Sequence, residues 1–263
     1  MITSVSNQQI KYVSKLMKSS RERREQGVFP VEGIRMFKEI PREDMVKFYV
    51  TEEFMNRNGL ADEWQEGIHY EIVTESVFKE ISDTRTPQGV LAIVKQHSYR
   101  REDILKCNES QNIHAPCVLL LENLQDPGNL GTILRTAEGA GVTGIMMSRD
   151  TVDIYNPKVV RATMGAIFRM PFVYEEDIVE GAEWLKQQGI TCYAAHLDGT
   201  GVYEQNYKSA TCFFIGNEGN GLTDKLTECA DRKIKIPMMG QVESLNAATA
   251  ATVLIYECMR QRL

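Results

Sequence analysis

The sequence predicts an α/β protein with two domains, and three observations support this prediction. Short apolar runs, which are typical of buried strands, alternate with segments of helical periodicity along the chain. The length of 263 residues suits one large domain or two modest ones with hydrophobic cores. Residues 97–114 are polar and poor in apolar side chains, as expected of a linker. We therefore expect a smaller domain over residues 1–96, a linker over 97–114 and a second domain over 115–263.

The first domain is expected to begin with one long helix over residues 7–26, because apolar residues recur at helical spacing until Gly27. Short strands and helices then alternate, which indicates an α/β sandwich. Strands are predicted over residues 29–33, 46–51, 68–74 and 90–95, and short helices over 36–40, 52–58 and 76–82.

The second domain opens with an apolar strand over residues 118–121, followed by a sharp turn. Pro127 fixes φ, Gly128 tolerates positive φ, and Asn129 is expected to cap the next helix. That helix places an apolar stripe on one face and Arg135 on another. The turn therefore presents a cationic side chain just beyond the end of a buried strand.

The rest of the second domain repeats the strand and helix alternation. Asn156 followed by Pro157 is typical of a helix start, and Ser244 is expected to cap the last helix. Strands are predicted over residues 144–148, 170–173, 190–197, 211–215 and 233–236, and helices from 157 and over 178–188, 222–229 and 244–262.

The net charge of −6 is unevenly distributed. Residues 1–114 carry 17 Lys+Arg against 18 Asp+Glu, and residues 115–263 carry 13 against 18. This balance argues against nucleic acid coating the whole surface but allows a local basic patch. Such a patch is present in a cationic segment near the amino terminus, which holds one acid, Glu22. Its basic residues are Lys11, Lys15, Lys18, Arg21, Arg23 and Arg24. A solvated helix face and RNA phosphate contact both explain it.

The six cysteines show no Cys-x-x-Cys pair and no spacing typical of zinc sites, so no metal is expected. Most lie in apolar surroundings, which favours reduced core thiols in a cytoplasmic protein. No apolar run approaches the length of a membrane span, and residues 1–7 do not have the apolar character of a signal-peptide core. We expect no membrane partner.

Three loops that follow apolar strands carry the residues of chemical interest. They span residues 123–129, 216–221 and 237–244. The second loop has three glycines in six residues around Glu218, which allows close approach of a ligand to the backbone. It is not a Walker loop, because no Gly-Lys-Ser/Thr follows. Ordinary turns, a serine cap and an Arg135–Glu138 pair would also explain these loops.

These loops carry a family resemblance. Residues 129–137 resemble the first motif of the SpoU (TrmH) family of RNA ribose 2′-O-methyltransferases in the SPOUT superfamily. Residues 214–222 resemble its second motif, and residues 236–250 its third. Residues 156–166 also look like the family's stretch between the first two motifs, and residues 1–95 are similar to its L30e-like substrate-binding domain.

The resemblance implies a carboxy-terminal SPOUT α/β domain with a deep trefoil knot, preceded by a smaller L30e-like α/β domain. It implies S-adenosyl-L-methionine (AdoMet) as cofactor, held in the knot. The implied cofactor contacts are Gly216, Asn217, Gly219, Ile236, Met238, Leu245 and Leu197. It also implies a homodimer, in which Arg135 of one subunit faces the cofactor of the other. The last helix supplies a stripe of small and apolar residues for that interface.

The implied reaction needs a ribose 2′-hydroxyl held in line with an activated methyl group and relieved of its proton. Arg135 is the first catalytic candidate; its guanidinium stays protonated, so polarising the hydroxyl or recruiting a phosphate suits it better than acting as a base. Asn129 is expected to orient Arg135 or the ribose. Glu218, Ser244 and Asn246 are expected to fix the loops and the substrate.

The expected function is methyl transfer from AdoMet to RNA ribose. The additional amino-terminal domain favours ribosomal RNA, with 23S rRNA first, over transfer RNA. A catalytically silent RNA-binding factor of ribosome assembly is the main alternative, and the intact motif residues argue against it. A methyltransferase for a small molecule or a protein is disfavoured by the cationic segment.

Overall fold

A computed structural model describes residues 1–58, 67–107 and 114–263. The chain forms two compact units. The first contains residues 1–97 and 153–168, and the second contains residues 98–152 and 169–263. Each unit has its own β-sheet with helices, which confirms the predicted α/β class.

The first unit is built on a four-stranded sheet whose strands are β1 (Val28–Glu32), β2 (Met45–Thr51), β3 (His69–Val73) and β4 (Val90–Lys95). They lie in the order β1-β4-β2-β3. Strand β4 is antiparallel to both of its neighbours, whereas β2 and β3 are parallel. Ile10, Leu16 and Phe78 from the helices pack with Leu91 in one hydrophobic core. The α-helices of this part of the chain are α1 (Gln8–Lys18), α2 (Ser20–Gln26), α3 (Ile34–Phe37), α4 (Glu52–Asn58) and α5 (Glu75–Ile81).

The predicted single helix over residues 7–26 is wrong, because the chain breaks it at Ser19. Ser19 is extended, with φ −121° and ψ 115°, and its hydroxyl accepts the N–H of Glu22 at 3.2 Å. This serine therefore caps a separate second helix, α2, as serines commonly do. Lys11, Lys15 and Lys18 remain together on the exposed face of α1.

The second unit is built on a six-stranded sheet whose strands are β5 (Cys117–Leu121), β6 (Gly144–Ser148), β7 (Phe172–Glu175), β8 (Thr191–Gly201), β9 (Thr211–Ile215) and β10 (Arg232–Lys235). They lie in the order β10-β8-β9-β5-β6-β7. All neighbouring strands in it are parallel. The α-helices from residue 117 onward are α6 (Pro127–Gly139), α7 (Pro157–Thr163), α8 (Ile178–Gln187), α9 (Asp224–Cys229) and α10 (Ala247–Arg262).

Strand β5 lies in the middle of this sheet, and the chain first adds β6 and β7 on one side of it. The chain then crosses to the other side, where β9 pairs directly with β5. The carboxyl ends of β5 and β9 therefore lie side by side where the strand order reverses. Such a switch point opens the crevice in which parallel α/β sheets bind ligands. The knot implied by the resemblance stays a prediction.

Residues 98–107 fall in the predicted linker but belong to the second unit. A 3-10 turn over Arg101–Leu105 buries Ile104 completely, and a Cβ added at Gly144 would lie 2.3 Å from the Cβ of Ile104. The Arg101 guanidinium lies 2.5 Å from the buried Glu175 carboxylate. This packing explains why the segment belongs to the second unit despite its polarity. The remaining part, residues 108–113, lies outside the described residues.

Residues 153–168, which the sequence places in the second domain, belong to the first unit. The Tyr155 ring lies 4.5 Å from that of Phe29, and its hydroxyl donates to the carbonyl of His97 at 3.1 Å. Asn156 caps α7 by accepting the N–H of Lys158, as predicted. No local sequence signal predicts this placement, because it depends on contacts with residues far away along the chain.

Arg23 packs inside the first unit, so its assignment to RNA contact was wrong. Its side chain is 3% exposed, and Nη2 lies 2.5 Å from a carboxylate oxygen of Asp153. Nη1 also donates to the carbonyl of Leu16. A guanidinium whose donors are used in this way holds the fold together.

The structure describes all six cysteines and joins none of them in a disulfide, and four of them are buried. No helix that the structure describes has the length and apolar character needed to cross a bilayer. Within the same residues, no group of three or more His, Cys, Asp or Glu side chains is placed to hold a metal.

The burial of Arg23 generates a stability prediction. Arg23→Met should lower the free energy of unfolding by about 2 to 4 kcal/mol, because it leaves Asp153 without its charged partner. Arg24→Met, one position along the same helix but exposed, should change it by less than about 0.5 kcal/mol. Urea unfolding followed by circular dichroism measures both. Equal midpoints for the two variants would contradict the structural role of Arg23.

Candidate active site

The three loops singled out in the sequence meet at the carboxyl edge of the second sheet. Two of them differ from the predicted bounds of 123–129 and 237–244, because α6 begins at Pro127 and α10 at Ala247. We call the loops, as the structure bounds them, the β5 turn (residues 122–126), the glycine loop (216–221) and the third loop (236–246). The β5 turn and the glycine loop follow the adjacent strands β5 and β9. The third loop connects β10 to α10.

Glu218 joins the glycine loop to the start of α6. Its carboxylate accepts the backbone N–H of Gln125 at 3.1 Å and that of Asp126 at 3.0 Å. It also accepts Nδ2 of Asn129 at 3.0 Å. Three donors on one carboxylate make strong, charge-assisted hydrogen bonds and fix the spacing between the two segments.

The same contacts set the charge state of Glu218. Burial acts to raise its pKa, but the hydrogen bonds from Asn129 and from backbone N–H groups outweigh that effect. The pKa of Glu218 consequently lies below its ordinary value of 4.5. Glu218 is therefore an ionised anchor at neutral pH and a weak base.

Asn129 extends the connection to the third loop. Its Oδ1 accepts Nδ2 of Asn246 at 2.9 Å, while its own Nδ2 donates to Glu218. The Asn246 Oδ1 in turn accepts the N–H groups of Ala248 and Thr249. Three predicted catalytic residues thus form one hydrogen-bonded chain, Glu218–Asn129–Asn246, that ends on the first turn of α10.

The helix caps at this site differ from the predicted ones. Asp126 caps α6 by accepting the N–H of Asn129 at 2.8 Å, so the predicted Asn129 cap is wrong. Asn246 caps α10, so the predicted cap at Ser244 is also wrong. The side chains of Asn129 and Ser244 therefore do not serve as helix caps. Ser244 is exposed and forms no hydrogen bond with any residue that the structure describes.

Arg135 lies on α6 beyond Asn129 and is exposed. The alternative of an Arg135–Glu138 pair is wrong, because Glu138 pairs with Arg169 at 2.8 Å. Arg135 makes no hydrogen bond or ion pair with any described residue. An unpaired and exposed guanidinium on the helix that also carries Asn129 is available to an incoming anion.

The glycine loop closes on itself very tightly. The backbones of Asn217 and Gly221 exchange two hydrogen bonds, of 3.0 and 2.9 Å. A Cβ at Gly216 would lie 2.1 Å from the carbonyl carbon of Gly221, so only glycine fits there. At Gly219 the nearest such contact is 3.5 Å, which leaves room for a side chain. The loop is therefore a rigid and compact turn.

Sequence reasoning missed two residues of this site, Glu122 and Asn123. The buried Glu122 carboxylate accepts the N–H and the hydroxyl of Thr223 at 2.8 and 2.7 Å. The carbonyl of Asn123 accepts Nδ2 of Asn217 at 2.7 Å. The sequence signal that could have identified them is a carboxylate and an amide directly after an apolar strand. Polar side chains at such a position need hydrogen-bond partners, because burying them without partners costs free energy.

The third loop has the properties needed to hold AdoMet. The backbone of residues 238–245 forms no hydrogen bond with any other part of the described chain. Ile236, Met238 and Leu245 are half-buried, and Met239 is fully exposed. An adenosyl group needs apolar contacts and a few backbone donors and acceptors. The segment fits that need, whereas the 63% exposed Leu197 in β8 stays a prediction.

Two family descriptions match this chain. The SpoU rRNA Methylase family matches residues 116–256, and the MRM3-like substrate binding domain matches residues 7–92. The first match covers more than half of the chain and includes all three loops of the candidate site. The second covers most of the first unit.

Individual relatives agree with these matches. The chain is 30% identical over 257 residues to the 23S rRNA (guanosine(2553)-2′-O)-methyltransferase RlmP of Bacillus subtilis, covering 97% of each chain. An AdoMet-bound rRNA methyltransferase from Sinorhizobium meliloti superposes with a TM-score of 0.84 at 29% identity, covering 100% of this chain and 98% of the other.

The SpoU methyltransferase AviRb from Streptomyces viridochromogenes, in complex with AdoMet, also superposes with a TM-score of 0.84. It is 25% identical and covers 97% of this chain and 98% of its own. These similarities confirm the family and the cofactor that the motifs predicted. The chain belongs to the SpoU family of RNA methyltransferases, which use S-adenosyl-L-methionine as methyl donor.

Proposed function

We propose that this chain transfers a methyl group from AdoMet to a ribose 2′-hydroxyl of ribosomal RNA, with 23S rRNA as the favoured substrate. The observation that carries the proposal is the Glu218–Asn129–Asn246 chain, which joins the glycine loop and the third loop through α6, the helix that also carries the unpaired Arg135. The name of the B. subtilis relative, a 23S rRNA 2′-O-methyltransferase, supports the choice of ribose and of ribosomal RNA.

Arg135 is proposed to act on the substrate through its fixed positive charge. Bound AdoMet supplies a methyl group already activated on a sulfonium, so the protein must orient the hydroxyl and help to remove its proton. A guanidinium stays protonated in proteins and can polarise the hydroxyl or grip a neighbouring phosphate. The phosphate can then accept the proton.

Asn129 is proposed to orient the ribose. Its amide is held in one orientation, because Nδ2 must face the Glu218 carboxylate and Oδ1 must face Nδ2 of Asn246. The second N–H of the Asn129 side-chain amide remains available to a ligand. Ser244, free of a capping role, is proposed to contact substrate, while the glycine loop and the third loop hold the cofactor through the residues named above.

A homodimer is proposed to complete each site, with Arg135 supplied by the partner subunit. The predicted interface stripe lies on α10 except for Leu245, which precedes the helix in the third loop. Part of the stripe packs on α6 within the chain, where Thr252 contacts Thr136 at 3.4 Å. Thr249 and Tyr256 of the same helix remain exposed. These side chains are available to a second copy. The stripe consists of Leu245, Ala248, Thr249, Thr252, Val253 and Tyr256.

Mapping of ribose methylation at single-nucleotide resolution, in RNA from a strain lacking the gene, tests the function. Loss of one 2′-O-methyl group in 23S rRNA, restored by the purified enzyme with AdoMet, is the expected result. Loss of a 2′-O-methyl group in transfer RNA instead would mean that transfer RNA, and not ribosomal RNA, is the substrate. An unchanged map, with AdoMet binding intact, would favour the silent assembly factor.

Arg135→Ala is expected to abolish methyl transfer while leaving the Kd for AdoMet within a few-fold, because its guanidinium acts on the substrate. Arg169→Gln provides the control, since it removes an arginine of the same unit that is paired with Glu138. Single-turnover methylation and calorimetry measure the two quantities. Turnover of Arg135→Ala close to the unmutated rate would remove Arg135 from the mechanism.

Mixed dimers test whether the site is shared. Gly219→Trp should block cofactor binding and preserve the loop, because Gly219 has room for a side chain whereas Gly216 has none. Mixing it with Arg135→Ala should restore about a quarter of the activity, since half of the dimers are mixed and each has one intact site. Proven mixed dimers without activity would show that each subunit holds a complete site.

The cationic face of α1 is proposed to contact RNA phosphates. A Lys11→Gln/Lys15→Gln/Lys18→Gln variant should weaken RNA binding and reduce the slope of log K against log salt by up to about 2. Filter binding across a salt series measures the slope. Lys38→Gln/Lys79→Gln, which changes two exposed lysines elsewhere in the unit, is the control. An unchanged slope would mean that the face is simply solvated. Arg21 and Arg24 are exposed and stay candidate contacts.

The charge of Glu218 predicts a pH effect. Its pKa is lower in the folded than in the unfolded chain, so its stabilising contribution is complete above 4.5 and is lost as pH falls through the folded value. The amide signals of Gln125 and Asp126 should therefore titrate below pH 4.5 in NMR spectra. In Glu218→Gln this titration should disappear; its persistence would assign it to another group.

A further inference from the structure

Asn123, directly after β5, adopts a backbone conformation that few residues tolerate. Its φ of 53° lies in the left-handed region, which asparagine enters more readily than most residues. Ser148, the last residue of β6, holds it there. The Ser148 hydroxyl accepts the N–H of Asn123 at 2.8 Å and donates to its Oδ1 at 2.9 Å. The two hydrogen bonds together fix both the backbone and the side chain.

This arrangement is shielded from water and leads to the glycine loop. Ser148 is 7% exposed, and the Thr151 hydroxyl lies 3.1 Å from its own. The carbonyl of Asn123 accepts Nδ2 of Asn217 at 2.7 Å. The Oδ1 of Asn217 then accepts the N–H groups of Gly219 and Asn220, at 2.9 and 3.1 Å. A continuous set of hydrogen bonds thus runs from the end of β6 to the tip of the loop.

We propose that Asn123 is a positioning residue that sets the glycine loop for AdoMet binding, and that Ser148 acts through it. The direction of the Asn123 carbonyl depends on its backbone angles. If Asn123 relaxes to a negative φ, the carbonyl turns away from Asn217, and the loop loses one of its attachments to the β5 turn. The inference rests on the proposed placement of the cofactor against this loop.

Thr143 offers a matched control for Ser148, because each is a buried hydroxyl at one end of β6. The Thr143 hydroxyl donates to the carbonyl of Cys117 at 2.9 Å, at the amino end of β5. It is 6% exposed, close to the 7% of Ser148. Thr143→Val and Ser148→Ala therefore each remove one buried hydroxyl between the same two strands, at opposite edges of the sheet.

The test compares Ser148→Ala, Asn123→Ala, their double variant and Thr143→Val, because alanine lacks Oδ1 and disfavours the positive φ of Asn123. Calorimetry gives the Kd for AdoMet, and hydrogen exchange gives the protection of the Gly219 and Asn220 amides. Ser148→Ala should raise the Kd about fivefold, the effect of one net hydrogen bond, and reduce that protection. Thr143→Val should change neither. The double variant should bind no more weakly than the weaker single variant, because both changes break the same connection.

Two results would overturn the inference: equal Kd values for Ser148→Ala and Thr143→Val, or additive effects in the double variant. A general loss of stability would lower the melting temperature of both hydroxyl variants alike and cannot mimic the expected difference in Kd. Failure of the proposed function is separate. It would show as AdoMet binding by the unmutated chain without ribose methylation, and the Kd comparison would still decide the role of Asn123.

Discussion

The candidate site depends on the attachment of the segment 216–223 to the segment 122–129 across the ends of β9 and β5. Hydrogen bonds join these segments at three places, through Thr223 to Glu122, Asn217 to Asn123, and Glu218 to the start of α6. Each uses a side chain on one segment and backbone or side-chain groups on the other. Because neither segment is a helix or strand along most of its length, these bonds replace the regular ladders that would otherwise satisfy the backbone.

The attachment also explains why so much of the machinery serves positioning. A transferable methyl group reacts only when donor and acceptor are aligned, and errors near 1 Å can cost a large share of the rate. Gly216 permits the loop to close, Glu218 sets its distance from α6, and Asn246 links α10 to the same chain. The parallel sheet supplies the rigid base from which all three loops depart.

Much of this organisation was predictable from the sequence, because its signals are local. The strands over residues 144–148 and 211–215 match the predicted bounds, and Asn156 caps α7 as expected. The three loops stood out by composition and then by family motif. The contacts between them could not be derived from spacing, since Glu218 and Asn129 are 89 residues apart in the sequence.

The failures have a common physical origin in competition between plausible local partners. Ser19 could continue a helix or cap a new one, and the extended backbone at that position selects the cap. Asp126 and Asn129 could both cap α6; Asp126 does so, which leaves Asn129 for Glu218. Arg23 is one of six basic residues in its segment, and its burial depends on Asp153, 130 residues away. Composition alone cannot rank such partners.

The charges at the site also constrain the proposed chemistry. The Glu218 carboxylate accepts three hydrogen bonds and has a lowered pKa, so it is a poor proton acceptor. Arg135 carries a guanidinium that does not lose its proton. Neither of the two charged candidates can therefore take the proton of a ribose hydroxyl as a free base. Within the proposed function, Arg135 therefore acts through its fixed positive charge, either by polarising the ribose hydroxyl or by holding a neighbouring phosphate.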